Sequence, residues 1–304
     1  MIQIENLSKI YRTGFMMTPK MALRQISLQV NEGEIYGFIG PNGAGKSTTI
    51  KILTGLLRIG SGSVKVMGHA PQDMRSRSQL GYLPEHPYFY DYLTGYELLK
   101  FYGSLSGVRG KLLEDRIAWA CELLHANHDW IHRRLRTYSK GMMQRMGLAQ
   151  AILAKPKLLI LDEPMSGLDP MGRRDVREAI QFLNREGATI FYSSHVLSDV
   201  ESISHRVAMI VDGKIVRAGR VEEVTQSNNS EYRVRLALAL PAASNIAGLQ
   251  SVHPQEFVCN GPESRDSLLR LALQSNVGVE RIENFRPSLE EVLTREIAKE
   301  GANG

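Results

Sequence analysis

The chain has 304 residues, of which 43% are hydrophobic and 23% charged, and its formal net charge is +5. This composition is typical of a globular protein with a sizeable core, and no apolar run reaches the roughly 18 residues that suggest a membrane span. The N-terminus lacks a basic flank before an apolar stretch, and Cys121 and Cys259 lie far apart. A secretory signal, a cysteine metal site and an oxidising compartment are therefore not indicated.

The positive charge is concentrated before residue 226. Residues 226–304 carry eight Lys or Arg against ten Asp or Glu, a net charge of −2, so the first 225 residues carry +7. Positive charge suits a protein that binds a polyphosphate, a membrane surface or nucleic acid. The charge by itself does not choose among these partners.

Three short strands are predicted near the N-terminus, at residues 2–5, 26–30 and 34–39. A glycine-rich turn follows the third strand, and a helix is predicted over residues 47–57. The turn reads Gly40-Pro41-Asn42-Gly43-Ala44-Gly45-Lys46-Ser47, which matches G-x-x-x-x-G-K-[ST] at every fixed position. A strand, this loop and a helix in succession predict a phosphate-binding site.

The residue types of the loop explain how it would bind a nucleotide. Its glycines let backbone N–H groups turn inward around phosphate oxygens, and the following helix adds the positive end of its dipole. Lys46 is expected to reach the β- and γ-phosphates, and the hydroxyl of Ser47 is expected to ligate Mg²⁺. A glycine-rich turn that binds nothing is the competing interpretation, which the flanking strand and helix disfavour.

The middle of the chain alternates between helices and strands. Residues 92–154 are predicted to be mainly helical, because apolar side chains recur at helical spacing. Strands are predicted at residues 158–161, 188–192 and 207–211, with a helix from about Met171 between the first two. This alternation predicts an α/β fold with a mostly parallel sheet, into which the helical block is inserted.

Three residues at predicted strand ends are candidates for catalysis. Asp162 ends an apolar strand, so its carboxylate should emerge at the sheet edge near the phosphates and bind Mg²⁺. Glu163 can face the γ-phosphate and deprotonate the attacking water, which makes it the candidate general base. His195 directly follows the next strand, although a lone histidine is more often structural.

The C-terminal part is predicted to be a small α+β appendage. Composition turns polar at residues 225–230, which indicates a linker. Beyond it, residues 232–236 alternate like a half-buried strand, and residues 264–274 and 288–299 have helical patterns.

One further motif is the most informative part of the chain. The run Tyr138-Ser139-Lys140-Gly141-Met142-Met143-Gln144-Arg145 precedes Leu158-Leu159-Ile160-Leu161-Asp162-Glu163-Pro164 by less than a helix and a strand. It resembles the signature of ABC (ATP-binding cassette) ATPases, usually Leu-Ser-Gly-Gly-Gln. Residues 1–222 are similar to this family, with six motifs in the expected order.

The resemblance implies a P-loop NTPase cassette at residues 1–222, with a helical subdomain at about 86–154. A linker at 223–230 and an accessory domain at 231–304 would follow. It implies that the catalytic residues are Glu163, Lys46 and His195, the last as the switch histidine that contacts the γ-phosphate. The residues implied to hold ATP are Tyr11, which stacks on adenine, then Gly40, Pro41, Asn42, Gly43, Ala44, Gly45, Lys46, Ser47, Thr48, Glu85, Ser139, Gly141 and Asp169.

The same resemblance implies that Ser47, Asp162 and Glu85 bind Mg²⁺. Ser139 and the N–H of Gly141 begin a helix and would form an anion site. In the family, this site clamps the γ-phosphate of ATP held by a second copy, so a homodimer or a paired cassette is expected. Asp169 ends the D-loop, Ser166-Gly167-Leu168-Asp169, which lines the interface between the two copies.

Three departures from the family pattern stand out. Lys140 and Met142 replace the usual Gly and Gln of the signature, whereas the phosphate-contacting Ser139 and Gly141 are kept. Glu85, in Gly81-Tyr82-Leu83-Pro84-Glu85, replaces the usual glutamine of the Q-loop; its carboxylate still offers oxygen to Mg²⁺. Residues 13–20 lengthen the segment after Tyr11.

The resemblance predicts the motor subunit of a membrane transporter, peripheral on the cytoplasmic face, that drives a separate permease docked near residues 84–99. The exact residues of several motifs, including Pro287-Ser288-Leu289-Glu290-Glu291-Val292, resemble those of the ABC-2 type export subfamily. One alternative is a soluble ABC ATPase that acts on ribosomes or DNA. Only one cassette and about ninety residues between Ser47 and Ser139, without heptads, speak against it. The other alternative is a non-catalytic, ATP-gated interaction protein, which Glu163 and His195 disfavour.

Overall fold

The computed structural model describes residues 1–13, 18–126, 128–225, 231–240, 243, 246–284 and 287–302. The chain divides into two compact units. The first comprises Met1–Val221 and Arg295–Gly304, and the second comprises Glu222–Thr294.

The first unit contains two sheets. Their strands, in chain order, are β1 (Ile2–Thr13), β2 (Thr18–Val30), β3 (Ile35–Ile39), β4 (Ser61–Val66), β5 (Leu80–Leu83), β6 (Leu158–Asp162), β7 (Thr189–Ser194), β8 (Arg206–Val211) and β9 (Lys214–Arg220). The smaller sheet is antiparallel with the order β2-β1-β4, and the larger has the order β5-β6-β7-β3-β8-β9. Within the larger sheet, β5 to β8 pair in parallel and only the edge strand β9 is antiparallel.

The central strands of the larger sheet are buried along their whole length. Every residue of β3, β6 and β7 is buried, which explains their nearly continuous apolar runs. The carboxyl ends of these three strands, at Ile39, Asp162 and Ser194, lie at one edge of the sheet because the strands are neighbours and parallel. The fold thus places the loop at residues 40–47, the acidic pair and His195 at the same edge.

Helices follow and connect these strands in the chain. They are α1 (Lys46–Leu53), α2 (Met74–Arg77), α3 (Gly95–Leu105), α4 (Gly110–Leu123), α5 (His128–Ile131), α6 (Lys140–Ile152), α7 (Pro170–Arg185), α8 (Leu197–Ile203) and α9 (Val221–Val224). Helices α3 to α6 lie between β5 and β6 in the chain and pack on one another. A capping box starts α3: Thr94 Oγ1 accepts from the N–H of Glu97, whose carboxylate accepts from the N–H of Thr94. Among the helices that the structure describes, none is long and apolar enough to cross a membrane.

The two sheets and α1 share one apolar core. Burying these side chains is the main stabilising contribution to the unit. The smaller sheet contributes Ile2, Ile4, Leu7, Leu23, Ile26, Leu28, Val30, Val64 and Val66, the helix Ile50, Ile52 and Leu53, and the larger sheet Tyr36, Phe38, Leu158, Ile160, Phe191, Ala208 and Ile210. The start of α1, and with it the phosphate-binding loop, is therefore anchored on a well-packed base.

The second unit is a four-stranded antiparallel sheet with a helix. Its strands are β10 (Glu231–Leu236), β11 (Leu249–His253), β12 (Glu256–Asn260) and β13 (Val279–Asn284), in the order β11-β12-β10-β13. Helix α10 (Pro262–Gln274) shares its core through Val234, Leu236, Phe257, Cys259, Leu268 and Ala272. Helix α11 (Leu289–Ala302) ends the described chain.

The predicted α/β class is confirmed, but several element bounds differ from the predictions. Strands β1 and β2 are longer than residues 2–5 and 26–30, because they pair as a long hairpin from Ile2↔Val30 to Thr13↔Thr18. Their exposed polar residues hide this pairing in the sequence. Helix α1 ends at Leu53 rather than at residue 57, since Gly55, with φ of +75°, cannot continue it.

The second compact unit and the predicted accessory domain, residues 231–304, have different ends. Arg295–Gly304 belongs to the first unit. Within that unit Arg217 Nε lies 3.1 Å from Glu296 Oε1, and Lys214 Nζ lies 3.0 Å from Glu300 Oε2. The predicted linker, residues 223–230, also differs, because residues 223 and 224 belong to α9; residues 226–230 lie outside the described residues.

A substitution at Gly40 tests how closely the phosphate-binding loop packs against β8. A Cβ at this position would lie 2.1 Å from the carbonyl oxygen of Ile210, which is main chain and cannot swing away. We expect Gly40→Ala to cost about 3 kcal/mol through overpacking and to lower Tm by roughly 6–12 °C in thermal unfolding. The control is Gly33→Ala, since Gly33 has φ of +75° but no atom within 4 Å of such a Cβ. Backbone strain alone should cost about 1–2 kcal/mol there, and equal shifts for both variants would contradict the packing explanation.

Candidate active site

The loop at residues 40–47 has the backbone of an anion cradle. Gly43 and Gly45 adopt φ of +81° and +114°, which non-glycine residues rarely adopt. A Cβ at Gly45 would also lie 2.7 Å from Leu23 Cδ2. These glycines therefore curl the chain over the first turn of α1, where N–H groups without helical partners attract anions.

A cavity of about 960 Å³ opens beside this loop. It is lined by ten of the predicted site residues: Tyr11, Asn42, Gly43, Gly45, Lys46, Ser47, Thr48, Glu85, Glu163 and His195. Lys20, Met21, Arg24 and Asp212 also line it, and no sequence motif had singled them out. Residues from seven separate stretches of the chain are thus brought to one cavity.

Lys46 is buried at the base of the cavity. Its Nζ donates to the carbonyl oxygens of Gly40, at 2.6 Å, and of Pro41, at 3.2 Å. Glu163 Oε1 lies 3.8 Å away. Burial lowers the pKa of Lys46 below its ordinary value, and the neighbouring carboxylates oppose that shift. A buried cation at the base of the cavity is suited to bind phosphate oxygens.

Asp162 is buried behind the loop. Ser193 Oγ donates to its Oδ1 at 2.6 Å. Burial raises the pKa of Asp162, hydrogen bonds from Ser193 and Ser47 lower it, and the charge of Glu85 raises it further. A cation here would favour the ionised carboxylate.

The residues present fit a magnesium ion. Hydroxyl and carboxylate oxygens are the ligands that Mg²⁺ prefers, and it is commonly held by one or two carboxylates together with substrate phosphates. Ser47, Asp162 and Glu85 offer such oxygens. In the part of the chain that the structure describes, no group of three or more His, Cys, Asp or Glu residues could hold a metal on its own.

Glu163 adopts an unusual backbone conformation, with φ of +52°. Its N–H donates to Ser193 Oγ at 3.0 Å, and its carbonyl oxygen accepts from the N–H of Ser166, at 3.0 Å, and from Gln144 Nε2, at 3.2 Å. A glutamate in this region of φ is strained and persists only where its surroundings hold it. Such strain is characteristic of catalytic sites.

The Glu163 side chain points to the cavity and pairs with His195. The distance between Glu163 Oε2 and His195 Nδ1 is 2.7 Å. The carboxyl of Glu163 is only 9% exposed, whereas the imidazole is 51% exposed. A buried carboxylate beside an accessible imidazole is suited to take a proton from a water molecule.

Tyr11 and Glu85 lie at two margins of the cavity. Tyr11 Oη is 3.5 Å from Thr48 Oγ1, so its ring borders the start of α1. Glu85 is half-exposed, 3.8 Å from His86 Nε2. Both line the cavity, and their roles stay predictions.

Ser139, Gly141 and Asp169 lie elsewhere, in a separate cavity of about 560 Å³. Ser139 begins α6, with its Oγ accepting from the N–H of Met142 at 3.2 Å. Asp169 begins α7 in the same way, with Oδ1 accepting from the N–H of Gly172 at 2.9 Å. The two cavities share no lining residue, so the predicted ATP-binding residues of one chain lie in two separate places.

Sequence reasoning missed Ser193 and Gln144. Ser193 contacts both Asp162 and Glu163, and its only signal was a position at a strand end two residues before His195. Gln144 is 2% exposed and contacts the main chain of Glu163. Nothing in its sequence context pointed to that contact.

A phosphate-binding loop at the carboxyl edge of a parallel sheet, with a buried carboxylate pair, defines a P-loop nucleotide-binding protein. Residues 23–166 match the family model described as ABC transporter. An uncharacterized ABC transporter ATP-binding protein of Synechocystis is 39% identical and covers 99% of this chain and 85% of its own length. The YxlF protein of Bacillus subtilis, with the same description, is 37% identical over 96% of this chain and 98% of its own.

A third relative is the lantibiotic transport ATP-binding protein SrtF of Streptococcus pyogenes, 38% identical over 71% of this chain and 89% of its own. A solved ATP-binding subunit of an ABC transporter is 29% identical, with a TM-score of 0.65 over 73% of this chain and 91% of its own. A dimeric ATP-binding cassette with ADP and Pi is 22% identical and shares the fold, with a TM-score of 0.67 over 72% of this chain and 98% of its own.

The chain belongs to the family of ABC transporter ATP-binding proteins. The predicted cassette fold is confirmed, as are the transporter subunit and the ATPase activity. The alternative of an ATPase that acts on ribosomes or DNA is not favoured, because the relatives are named as transporter subunits.

Proposed function

We propose that this chain is the ATPase of an exporter, in which two copies enclose two Mg-ATP and drive a separate permease. The observation that carries the proposal is the separation of the two cavities within one chain. In the proposed dimer, the second copy completes the binding site of a phosphate held at Lys46. The Ser139 turn of each copy lines no part of the Lys46 cavity of the same copy, so it can serve the other one.

In this proposal, the loop and Lys46 bind the phosphates, and Tyr11 stacks on the adenine. Backbone N–H groups of residues 40–48 bind oxygens of the β- and γ-phosphates. Ser47, Asp162 and Glu85 would hold Mg²⁺, which when bound would supply positive charge against the phosphates. The adenine contact is with a π-face and discriminates little among bases.

Hydrolysis then follows from the Glu163–His195 pair. A water attacks the γ-phosphorus while Glu163 accepts its proton and the bond to the β–γ bridging oxygen breaks, giving ADP and Pi. His195 keeps the carboxylate oriented through the 2.7 Å contact and contacts the γ-phosphate from the open side of the cavity. Lys46 stabilises the developing charge.

The second copy provides the clamp. Ser139 Oγ and the N–H of Gly141, at the start of α6, bind the γ-phosphate held by the other copy. Asp169 orients the D-loop at the same interface by capping α7. Dimerisation is therefore part of the reaction, and release of Pi weakens the dimer.

The permease is proposed to dock beside β5 and α3. Exposed aromatic and aliphatic side chains concentrate there, and such a patch is typical of a protein interface. They are Tyr88, Tyr90, Tyr92, Phe101 and Leu105, between 44% and 95% exposed. Docking would hold the chain at the cytoplasmic face of a membrane.

The export direction and the domain plan are also proposals. The residues of several motifs and the relative named for lantibiotic transport support an ABC-2 type exporter. The cassette would comprise residues 1–222 with the helical subdomain at about 86–154, and a small α+β domain would follow. Turnover of Mg-ATP by the purified chain, alone and with its permease, tests the function. No release of Pi in either case would favour the ATP-gated interaction protein instead.

Asp162→Asn tests the metal. In the unchanged protein, Mg-ATP at 100 times its Kd should stabilise the fold by about 2.7 kcal/mol, which is a rise in Tm of roughly 5–10 °C. The variant should lose the part of this rise that depends on Mg²⁺, seen by comparing ATP with Mg²⁺ and ATP with EDTA. Asp212→Asn is the control, since Asp212 lines the same cavity. If both variants lost the Mg²⁺ effect equally, Asp162 would not be the metal ligand.

A further inference from the structure

Helix α6 is joined to the chain segment that follows the catalytic glutamate. Arg145 Nη2 lies 2.9 Å from Asp175 Oδ2. The side chain of Lys140 lies along Gly167, where an added Cβ would be 2.5 Å from Lys140 Cδ. These contacts hold the first turns of α6 against residues 163–175.

The contact nearest to the chemistry is made by Gln144. Its amide Nε2 donates to the carbonyl oxygen of Glu163 at 3.2 Å, and the side chain is buried. Gln144 lies on the second turn of the helix whose first turn carries Ser139 and Gly141. The start of α6 therefore carries the clamp residues Ser139 and Gly141, and through Gln144 it also contacts the main chain of the general base.

The contact matters because the main chain of Glu163 is strained. A residue with φ of +52° costs on the order of 1–3 kcal/mol and relaxes unless it is held. Its N–H is held by Ser193 from β7, while its carbonyl is held partly by Gln144 from α6. A small displacement of α6 would turn this peptide and move the carboxylate relative to His195.

We infer that Gln144 is a positioning residue that couples the clamp to the general base of the same chain. The inference rests on the proposed two-copy site. In that arrangement, the clamp of one chain contacts the ATP held by the other chain, whereas Glu163 acts on the ATP of its own chain. Gln144 thus makes catalysis at one nucleotide depend on occupancy of the other.

The test compares Gln144→Met with the unchanged full-length protein. Methionine has a similar shape and cannot donate a hydrogen bond. We expect kcat for ATP hydrolysis to fall roughly five- to tenfold and the Hill coefficient to fall to about 1, from above 1 in the unchanged protein. The KM for Mg-ATP should change less than about twofold, because the residue touches no nucleotide-binding group.

Two further variants separate positioning from packing. Gln144→His restores an N–H donor at a similar reach and should recover kcat and cooperativity at least in part. Gln150→Met makes the same change on the same helix, away from Glu163, and should leave both quantities unchanged. All variants are checked for Tm.

Several outcomes would overturn the inference. These are a Gln144→Met protein with unchanged kcat and Hill coefficient, an equal loss in Gln150→Met, a lower Tm as the sole effect, or an unchanged protein without cooperativity. Failure of the proposed function is recognised differently, as an unchanged protein that releases no Pi at all.

Discussion

Replacing Glu163 with glutamine is expected to lower kcat for ATP hydrolysis by about 10²–10⁴-fold and to leave ATP binding intact. The amide keeps the shape of the side chain and can still form a hydrogen bond with His195 Nδ1, which lies 2.7 Å from the carboxylate in the unchanged protein. It cannot accept a proton from water. Release of Pi measures the loss, and equilibrium binding of ATP measures what is kept.

The same variant should accumulate as an ATP-bound dimer, because hydrolysis no longer opens the two-copy site. Size-exclusion chromatography with Mg-ATP detects it. The control is Glu178→Gln, an exposed glutamate that pairs with Arg174 on α7. More than a tenth of the normal rate in Glu163→Gln would place the general base elsewhere, and a monomer with bound ATP would contradict the two-copy mechanism.

Replacing Lys46 with methionine is expected to weaken ATP binding by at least about 100-fold. The variant would lose the charge-assisted bonds of Lys46 to phosphate oxygens, and truncating one partner of a buried, hydrogen-bonded charge pair across a binding interface typically costs about 2–5 kcal/mol. The carboxyl group of Asp162 should become harder to ionise as well, since the charge of Lys46 lowers its pKa. Titration calorimetry with Mg-ATP measures the affinity.

Lys51→Met is the matched control for this experiment. Lys51 lies on the same helix but is exposed and outside the cavity. It should bind ATP within about twofold of the unchanged protein, because an isolated exposed charge contributes little at a distance. Equal losses in both variants would show that general charge, not the buried ammonium, attracts the nucleotide.

Most of the phosphate site could be predicted from the sequence because its residue-type and backbone requirements are local. The loop needs glycine where φ is positive, and Gly43 and Gly45 meet that need within eight consecutive residues. The acidic pair could be placed because it ends an apolar run that reads as a strand, and the carboxyl ends of neighbouring parallel strands meet at one edge. The hairpin of β1 and β2 was underestimated because its pairing leaves polar residues exposed.

The support around Glu163 could not be predicted in this way. Ser193 is 30 residues from Glu163 in sequence and Gln144 is 19, and neither contact leaves a periodic or spaced pattern. The assignment of Arg295–Gly304 to the first unit was hidden for a similar reason. One continuous helical pattern runs through α11, and the division is revealed only by tertiary contacts such as the ion pairs of Glu296 with Arg217 and of Glu300 with Lys214.

The sequence by itself determined the loop, the acidic pair and the signature turn, because each consists of consecutive residues with local backbone requirements. Together these motifs also determined the family. Only the tertiary structure decided that the Ser139 turn lies in a different cavity from Lys46, and that Gln144 and Ser193 hold the strained peptide of Glu163. Both facts depend on how separate strands and helices pack. A buried hydrogen bond between them is set by three-dimensional position, which local sequence does not specify.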